Sequence, residues 1–196
     1  MARKAAAGSN RDLTLKITLL DSKPPIWRRV VVPETMSLAD LHNVIQAVMG
    51  WEDSHLHQFE IGERRYARPG MLDDTLAEGR VTLKSIRAAG TKRFRYTYDF
   101  GDSWEHLIEI EDKPAAALSR PVPLCVAGKR AAPPDDSGGI WGYEEKVEIL
   151  ANPEHEDYDE ISEWMPEGFD PEHFSVDECN AELERRFGRG KRSSST

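Results

Sequence analysis

Residues 13–20, Leu-Thr-Leu-Lys-Ile-Thr-Leu-Leu, place Leu13, Leu15, Ile17 and Leu19 at alternate positions, with Thr14, Lys16 and Thr18 between them. Period-two alternation of this kind predicts a strand with one buried face. Pro24 and Pro25 interrupt it, and the extended pattern resumes at Ile26 and runs to Pro33. Two strands joined by a proline-containing link read as a β-hairpin. The spacing then changes. Leu38, Leu41, Ile45, Val48 and Met49 recur at helical intervals, Ser37 stands where an N-cap belongs, and Gly50 stands at the C′ position. These features predict a helix over 38–49.

The next stretch returns to period two, with His55, His57, Phe59 and Ile61 expected on one strand face. A turn after Ile61 leads to a short returning strand around Tyr66. Residues 71–86 read as a helical turn followed by a short strand near 81–83. Residues 94–110 form the clearest hairpin. Phe94, Tyr96, Tyr98 and Phe100 alternate on one side of a Gly101-Asp102 link, and Trp104, His106, Ile108 and Ile110 alternate on the other. The rings are predicted to share the covered side of one sheet.

From residue 113 five prolines and paired glycines mark a long ordered loop across the surface, running to about Tyr143. A short helix follows near 143–152, and a last one begins after Ser175 with Val176, Cys179, Leu183 and Phe187 on one stripe. The expected architecture is α+β: an antiparallel or mixed sheet built from hairpins, with helix 38–49 packed on it. Its opening resembles a β-grasp order, and its C-terminal part is helical and acidic. Residues 12–187 are expected to form one domain, with the sheet core in 12–112 and loops and helices packed on it in 113–187.

Charge refines this picture. The chain has 196 residues and a formal charge of −9. The segments 1–11 and 188–196 each carry +3, which leaves −15 on residues 12–187. Both ends read as disordered basic tails. A body this acidic disfavours duplex DNA, and the expected partner is instead a protein with a basic surface. Residues 144–172 hold twelve Asp or Glu and one Lys, a solvated face or a docking surface for that partner. No apolar run approaches the roughly 20 residues of a membrane span, and no signal-peptide pattern opens the chain, so a cytoplasmic location is expected. Cys125 and Cys179, without close spacing, read as two thiols in a reducing compartment.

Most chemistry-bearing motifs fail on context. Asp99-Phe100-Gly101 lacks the other elements of a kinase, residues 127–130 lack the spaced glycine of a P-loop, and no Gly-x-Ser-x-Gly is present. The histidines carry more. His42 lies on the apolar stripe of its helix, His55 and His57 form a two-ligand pattern on one strand face, and His106 lies on the aromatic side of its hairpin. Such imidazoles serve as hydrogen-bonded members of a polar core patch or, with a third donor, as metal ligands. If a divalent metal is the cofactor, His55, His57 and His106 are its candidate ligands.

The stretches from Leu15 to Gly62, from Tyr96 to His106, from Pro133 to Tyr143 and from Phe169 to Leu183 together resemble the plasmid pRiA4b ORF-3-like family. The resemblance runs in order from about residue 13 to 185. It implies an α+β cytoplasmic bacterial protein linked to mobile elements, and it brings no established activity. Family members often carry cysteines around the Pro-Pro-acidic-Gly-Gly loop, where this chain has Ala132 and Ser137. A metal site built on those cysteines would be lost here. The resulting expectation is a non-catalytic binding or accessory module with a ligand pocket made by Trp51, His55, His57, Asp99, Asp102, Trp104 and His106. The alternative is a metal-dependent hydrolase or nuclease with His55, His57, Asp99, Asp102 and His106 as ligands or bases.

Overall fold

The computed structural model describes residues 12–112 and 123–188. Apart from Gly188, the two basic tails lie outside the described residues, as do residues 113–122 of the expected loop. Strands β1 (Asp12–Leu19) and β2 (Ile26–Pro33) form the first hairpin, in which Leu15 faces Val30. Helix α1 (Leu38–Met49) starts where the Ser37 hydroxyl accepts from the amide of Asp40 and stops at left-handed Gly50, φ 79°. Strands β3 (His57–Ile61), β4 (Arg64–Ala67) and β5 (Leu76–Ala77) then lead through a 3-10 turn (Glu78–Arg80) to helix α2 (Leu83–Ala88). Strands β6 (Arg93–Tyr98) and β7 (Trp104–Glu111) make the aromatic hairpin. After β8 (Leu124–Lys129) come helices α3 (Gly139–Leu150), α4 (Tyr158–Trp164) and α5 (Val176–Phe187).

The eight strands form one mixed sheet in the order β5-β4-β3-β6-β7-β1-β2-β8, and only the β4–β5 pair is parallel. The β-grasp-like opening ends at α1, because the second neighbour of β1 is the antiparallel β7 and β3 lies three places away. The expected α+β class stands, with α1 and α5 packed on one another over a core that runs from Leu13 to Leu183. In the aromatic hairpin Tyr96 faces His106 and Tyr98 faces Trp104, and all four side chains are fully buried. No helix among the described residues is long and apolar enough to cross a membrane.

Three expectations change. Phe100 does not join the buried rings: β6 ends at Tyr98, the chain turns, and Phe100 is exposed. The strand near 81–83 is a helix start, because Thr82 and Ser85 form a reciprocal capping box that opens α2. The expected surface loop contains β8, which adds to β2 across a bulge at Arg29/Val30. Small residues and a single inward-facing thiol hide that strand from any periodicity count. It is held from outside the sheet by Asn180 of α5, which accepts from the Cys125 amide at 2.8 Å and donates to its carbonyl at 3.0 Å.

Candidate functional site

Two groups of imidazoles and carboxylates lie at the same end of the molecule. The first is assembled by α1, β3 and β6. The buried stripe of α1 carries His42 and Gln46 inward, and β3 begins with His57. The rings of His42 and His57 stack at 3.5 Å with their planes 9° apart. His42 Nε2 lies 2.9 Å from Asp53 Oδ1, and its Nδ1 lies 2.8 Å from the Tyr96 hydroxyl. A carboxylate only accepts, so the proton sits on Nε2 and Tyr96 donates to Nδ1. Gln46 donates to the same hydroxyl at 3.2 Å and accepts from the Asp53 amide at 2.8 Å. Arg68 closes the group on Asp53 Oδ2 at 2.8 Å. His57 Nε2 meets the buried carboxylate of Glu78 at 2.8 Å.

Burial, reinforced by the neighbouring His57, pushes His42 down to about 4, so the ring is neutral at pH 7. Burial alone would raise Asp53, but its hydrogen bonds to Arg68 and His42 hold it below the usual range. Donor atoms of His42, Asp53 and His57 come within 4.8 Å of one another, a metal-like spacing. The ring geometry opposes that use. Zinc binds in the imidazole plane at about 2.0–2.1 Å, and between rings stacked at 3.5 Å it would sit roughly 60° out of each plane.

Beneath this group lies an aromatic layer. Trp51 packs against Tyr98 at 5.0 Å, Trp104 at 6.0 Å and His106 at 5.4 Å. Its indole N–H donates to the Pro133 carbonyl at 2.8 Å, which ties the proline-rich loop to the core. His106 donates from Nδ1 to the Trp104 carbonyl, its Nε2 has no partner, and burial pushes its pKa down to about 4. The expected aromatic pocket is therefore not an open one: Trp51, His57, Trp104 and His106 are all buried, at 4% exposure or less. They form the floor.

The second group is open. His55 stands before β3, in the link from α1, and it does not share a site with His57. Its Nδ1 lies 3.7 Å from Asp99 Oδ2 and its Nε2 lies 3.4 Å from Asp136 Oδ1. Donor atoms of these three residues come within 4.8 Å of one another. Asp99 and Asp136 both adopt left-handed backbone, φ 55° and 60°, a conformation uncommon outside glycine that concentrates at functional loops. Asp135 joins them: one of its carboxylate oxygens is buried without a partner. Burial raises the Asp135 carboxyl; the Asp136 and Asp99 charges push the same way, and His55 opposes them.

Local constraints set this geometry. Asp99 Oδ1 accepts from the Gly101 amide at 2.8 Å, and the Ser103 amide donates to the Asp99 carbonyl at 2.6 Å. The Asp102 carboxylate accepts from the Gly138 amide at 3.1 Å, docking the hairpin turn on the Pro133–Gly139 loop. A Cβ on Gly139 would stand 2.7 Å from the Asp102 carbonyl oxygen, so the close approach requires glycine there. Ser137, at one of the two places where relatives often have cysteine, is buried and donates to the Pro134 carbonyl at 2.6 Å.

Of the residues expected to form one pocket, the structure thus brings His55 and Asp99 together, uses Asp102 as a loop anchor, and places Trp51, His57, Trp104 and His106 below. His42 is a hydrogen-bonded member of a polar core patch, one of the two roles expected for it, whereas Asp53, Glu78, Asp135 and Asp136 complete the two groups and were not expected there. The paired acids after Pro133-Pro134 were the one available signal for the open group, since prolines followed by acids and glycines build loops that present side chains.

A family model described as plasmid pRiA4b ORF-3-like protein matches residues 11–178. Uncharacterized protein y4hQ of Sinorhizobium fredii (strain NBRC 101917 / NGR234) is 45% identical over 157 residues, covering 76% of this chain and 78% of its own. The crystal structure of a protein of unknown function, MM3350 from Methanosarcina mazei Go1, is similar with a TM-score of 0.80 at 40% identity, covering 86% of this chain and 97% of that one. These relatives are themselves uncharacterised, so the chemistry has to be argued from the two groups.

Proposed function

The chain belongs to the plasmid pRiA4b ORF-3-like family, and from that premise we propose that it is a non-catalytic binding module whose loop end takes a divalent cation through His55, Asp99, Asp135 and Asp136. One observation carries this reading. An imidazole and three carboxylates converge from three separate loops, and among the described residues no lysine or arginine neutralises them. A mixed nitrogen and carboxylate donor set favours Zn²⁺ or Mn²⁺ over Mg²⁺ or Ca²⁺. A cation held there would fix the three loops relative to one another and present a rigid face to a partner. The acidic stretch 144–172 supports a partner with a basic surface, and the same charge disfavours duplex DNA.

A second reading, a metal-dependent hydrolase or nuclease, draws on the exposure of Asp136, 75% for its side chain. A cation facing solvent on one side keeps positions for water, as hydrolytic metal sites do. Titration of the metal-stripped full chain with Zn²⁺ and Mn²⁺ by calorimetry tests both. Stoichiometric binding lost in Asp99→Asn and His55→Ala, without metal-dependent cleavage of a model phosphodiester, supports the binding module. Cleavage that depends on the same residues supports the hydrolase, and no binding of either ion overturns both.

A further inference from the structure

The far side of α1 holds a different constellation. Arg28, on β2, is buried, with its Nε donating to the Val48 carbonyl at 2.8 Å and Nη1 donating to the Trp27 and Lys129 carbonyls at 3.0 and 3.1 Å. Its guanidinium stacks over Phe174 at 4.7 Å. No carboxylate pairs with it among the described residues, and a guanidinium keeps its charge even when buried. The polarisable group beside it is the Cys179 thiol of α5, which donates to the same Val48 carbonyl at 3.8 Å. Arg28 and Cys179 both line a cavity of about 400 Å³ bounded by α1, α5 and residues 173–175.

Cys125 lies behind Cys179, 1% exposed. Asn180, the residue next to Cys179, grips both the amide and the carbonyl of Cys125, so the two backbones are held side by side. Both thiols are free; that of Cys125 donates to the Ala127 carbonyl at 3.7 Å, and each thiol shifts the titration of the other, Cys125 upward and Cys179 downward. One thiol thus opens on a cavity beside an uncompensated cation, and the second is buried on β8, the strand against which α5 packs. This is the arrangement of an attacking and a resolving cysteine.

We propose that Cys179 and Cys125 are a modification site for hydrogen peroxide, closing to an intramolecular disulfide between α5 and β8. The Cys179 thiolate attacks one peroxide oxygen and the O–O bond breaks. Cys179 becomes a sulfenic acid, and the departing hydroxide takes up the thiol proton and leaves as water. The Cys125 sulfur then attacks the sulfenic sulfur, the S–O bond breaks, and the hydroxide takes the Cys125 proton to leave as a second water. Two electrons pass from the dithiol to each peroxide. The Cys125 thiol, and after it the Arg28 charge, stabilises the Cys179 thiolate, and the cavity admits the small oxidant.

The test is exposure of the reduced full chain to hydrogen peroxide, followed by mass spectrometry without reductant. The expected product is a monomer lacking two hydrogen atoms, with a cross-link between the peptides of Cys125 and Cys179. Cys125→Ser should stop at a sulfenic acid on Cys179 that dimedone traps. Cys179→Ser should slow loss of the remaining thiol by about tenfold or more. The rate should rise through a midpoint near pH 7, where Cys179 titrates among Arg28, Cys125, Glu178 and His173. Both thiols surviving peroxide that oxidises free cysteine, a sulfenic acid on Cys125 instead, cross-linked dimers, or a midpoint at the ordinary thiol value would each overturn the proposal.

Discussion

His42 and His55 lie thirteen positions apart, each beside an aspartate with left-handed backbone, and the two environments work in opposite ways. Around His42 and His57, polar atoms find partners at 2.8–3.2 Å, the rings stack, and Arg68 and Glu78 close the edges. Around His55 the contacts open to 3.4 and 3.7 Å, a carboxylate oxygen is buried unpaired, and like charges face each other. A satisfied network in low dielectric stabilises the fold and has no capacity left for a ligand. A charge-repelling one with a buried unpaired oxygen costs stability and recovers it by binding a cation. Residue types do not distinguish the two groups; satisfaction of donors and acceptors does.

The largest effect should come from breaking the closed group. His57→Ala leaves the Glu78 carboxylate buried, at 3% exposure, without its partner. Stranding one member of a buried pair costs roughly 3–5 kcal/mol, whereas His55→Ala should stay within about 0.5 kcal/mol, the range of surface changes. Urea unfolding at pH 7 measures both. Equal losses would erase the distinction.

Acid should discriminate next. His42 and His106 are both pushed down to about 4 by burial, while an unfolded chain binds their protons near 6.5. Between these values the unfolded state holds more protons than the fold. The stability is therefore complete above pH 6.5 and is lost as pH falls towards 4, by on the order of 3 kcal/mol per histidine. Urea midpoints measured from pH 7.5 to 4.5 should fall steeply below 6.5. His42→Gln should flatten that slope.

Legibility in the sequence followed the range of the interaction. The hairpin around Gly101 was readable because Phe94, Tyr96, Tyr98, Trp104 and His106 alternate locally, and α1 was readable because Ser37 and Gly50 punctuate it. Strand β8 was not, since its partners are distant in the chain: β2 beside it in the sheet and Asn180, 55 positions later. The candidate site was half legible. The shared strand face expected for His55 and His57 failed because β3 begins only at His57, which frees His55 to turn towards loops contributed by Asp99 and Asp136. Stacking of His42 on His57 depends on where α1 lies over β3, which no local spacing encodes.

The third contrast is ligand-dependent. With Zn²⁺ or Mn²⁺ at a hundred times its dissociation constant, the unfolding free energy should rise by about 2.7 kcal/mol. Asp99→Asn should abolish the gain, and His42→Gln should retain it from a lower starting point. A gain that tracked His42 instead would move the cation to the closed group.

The smallest effect separates the groups by sign. Asp53 and Asp136 both adopt left-handed backbone, φ 59° and 60°, which asparagine also accepts, so Asp→Asn changes charge with little backbone cost at either position. Asp53 holds Arg68 and His42 on its two oxygens, so Asp53→Asn should lose about 1–2 kcal/mol through weakened charge-assisted bonds. A carboxylate oxygen of Asp136 lies within 4.8 Å of one of Asp99, its charge also acts on Asp135, and its side chain is mostly exposed, so Asp136→Asn should relieve repulsion and gain up to about 0.5 kcal/mol without added metal. The same variant should weaken the gain from Zn²⁺ or Mn²⁺, because an amide oxygen replaces a carboxylate. A side chain that destabilises the free fold and strengthens only the loaded one is positioned for a ligand, and chemical denaturation of the two variants, with and without metal, reads that sign directly.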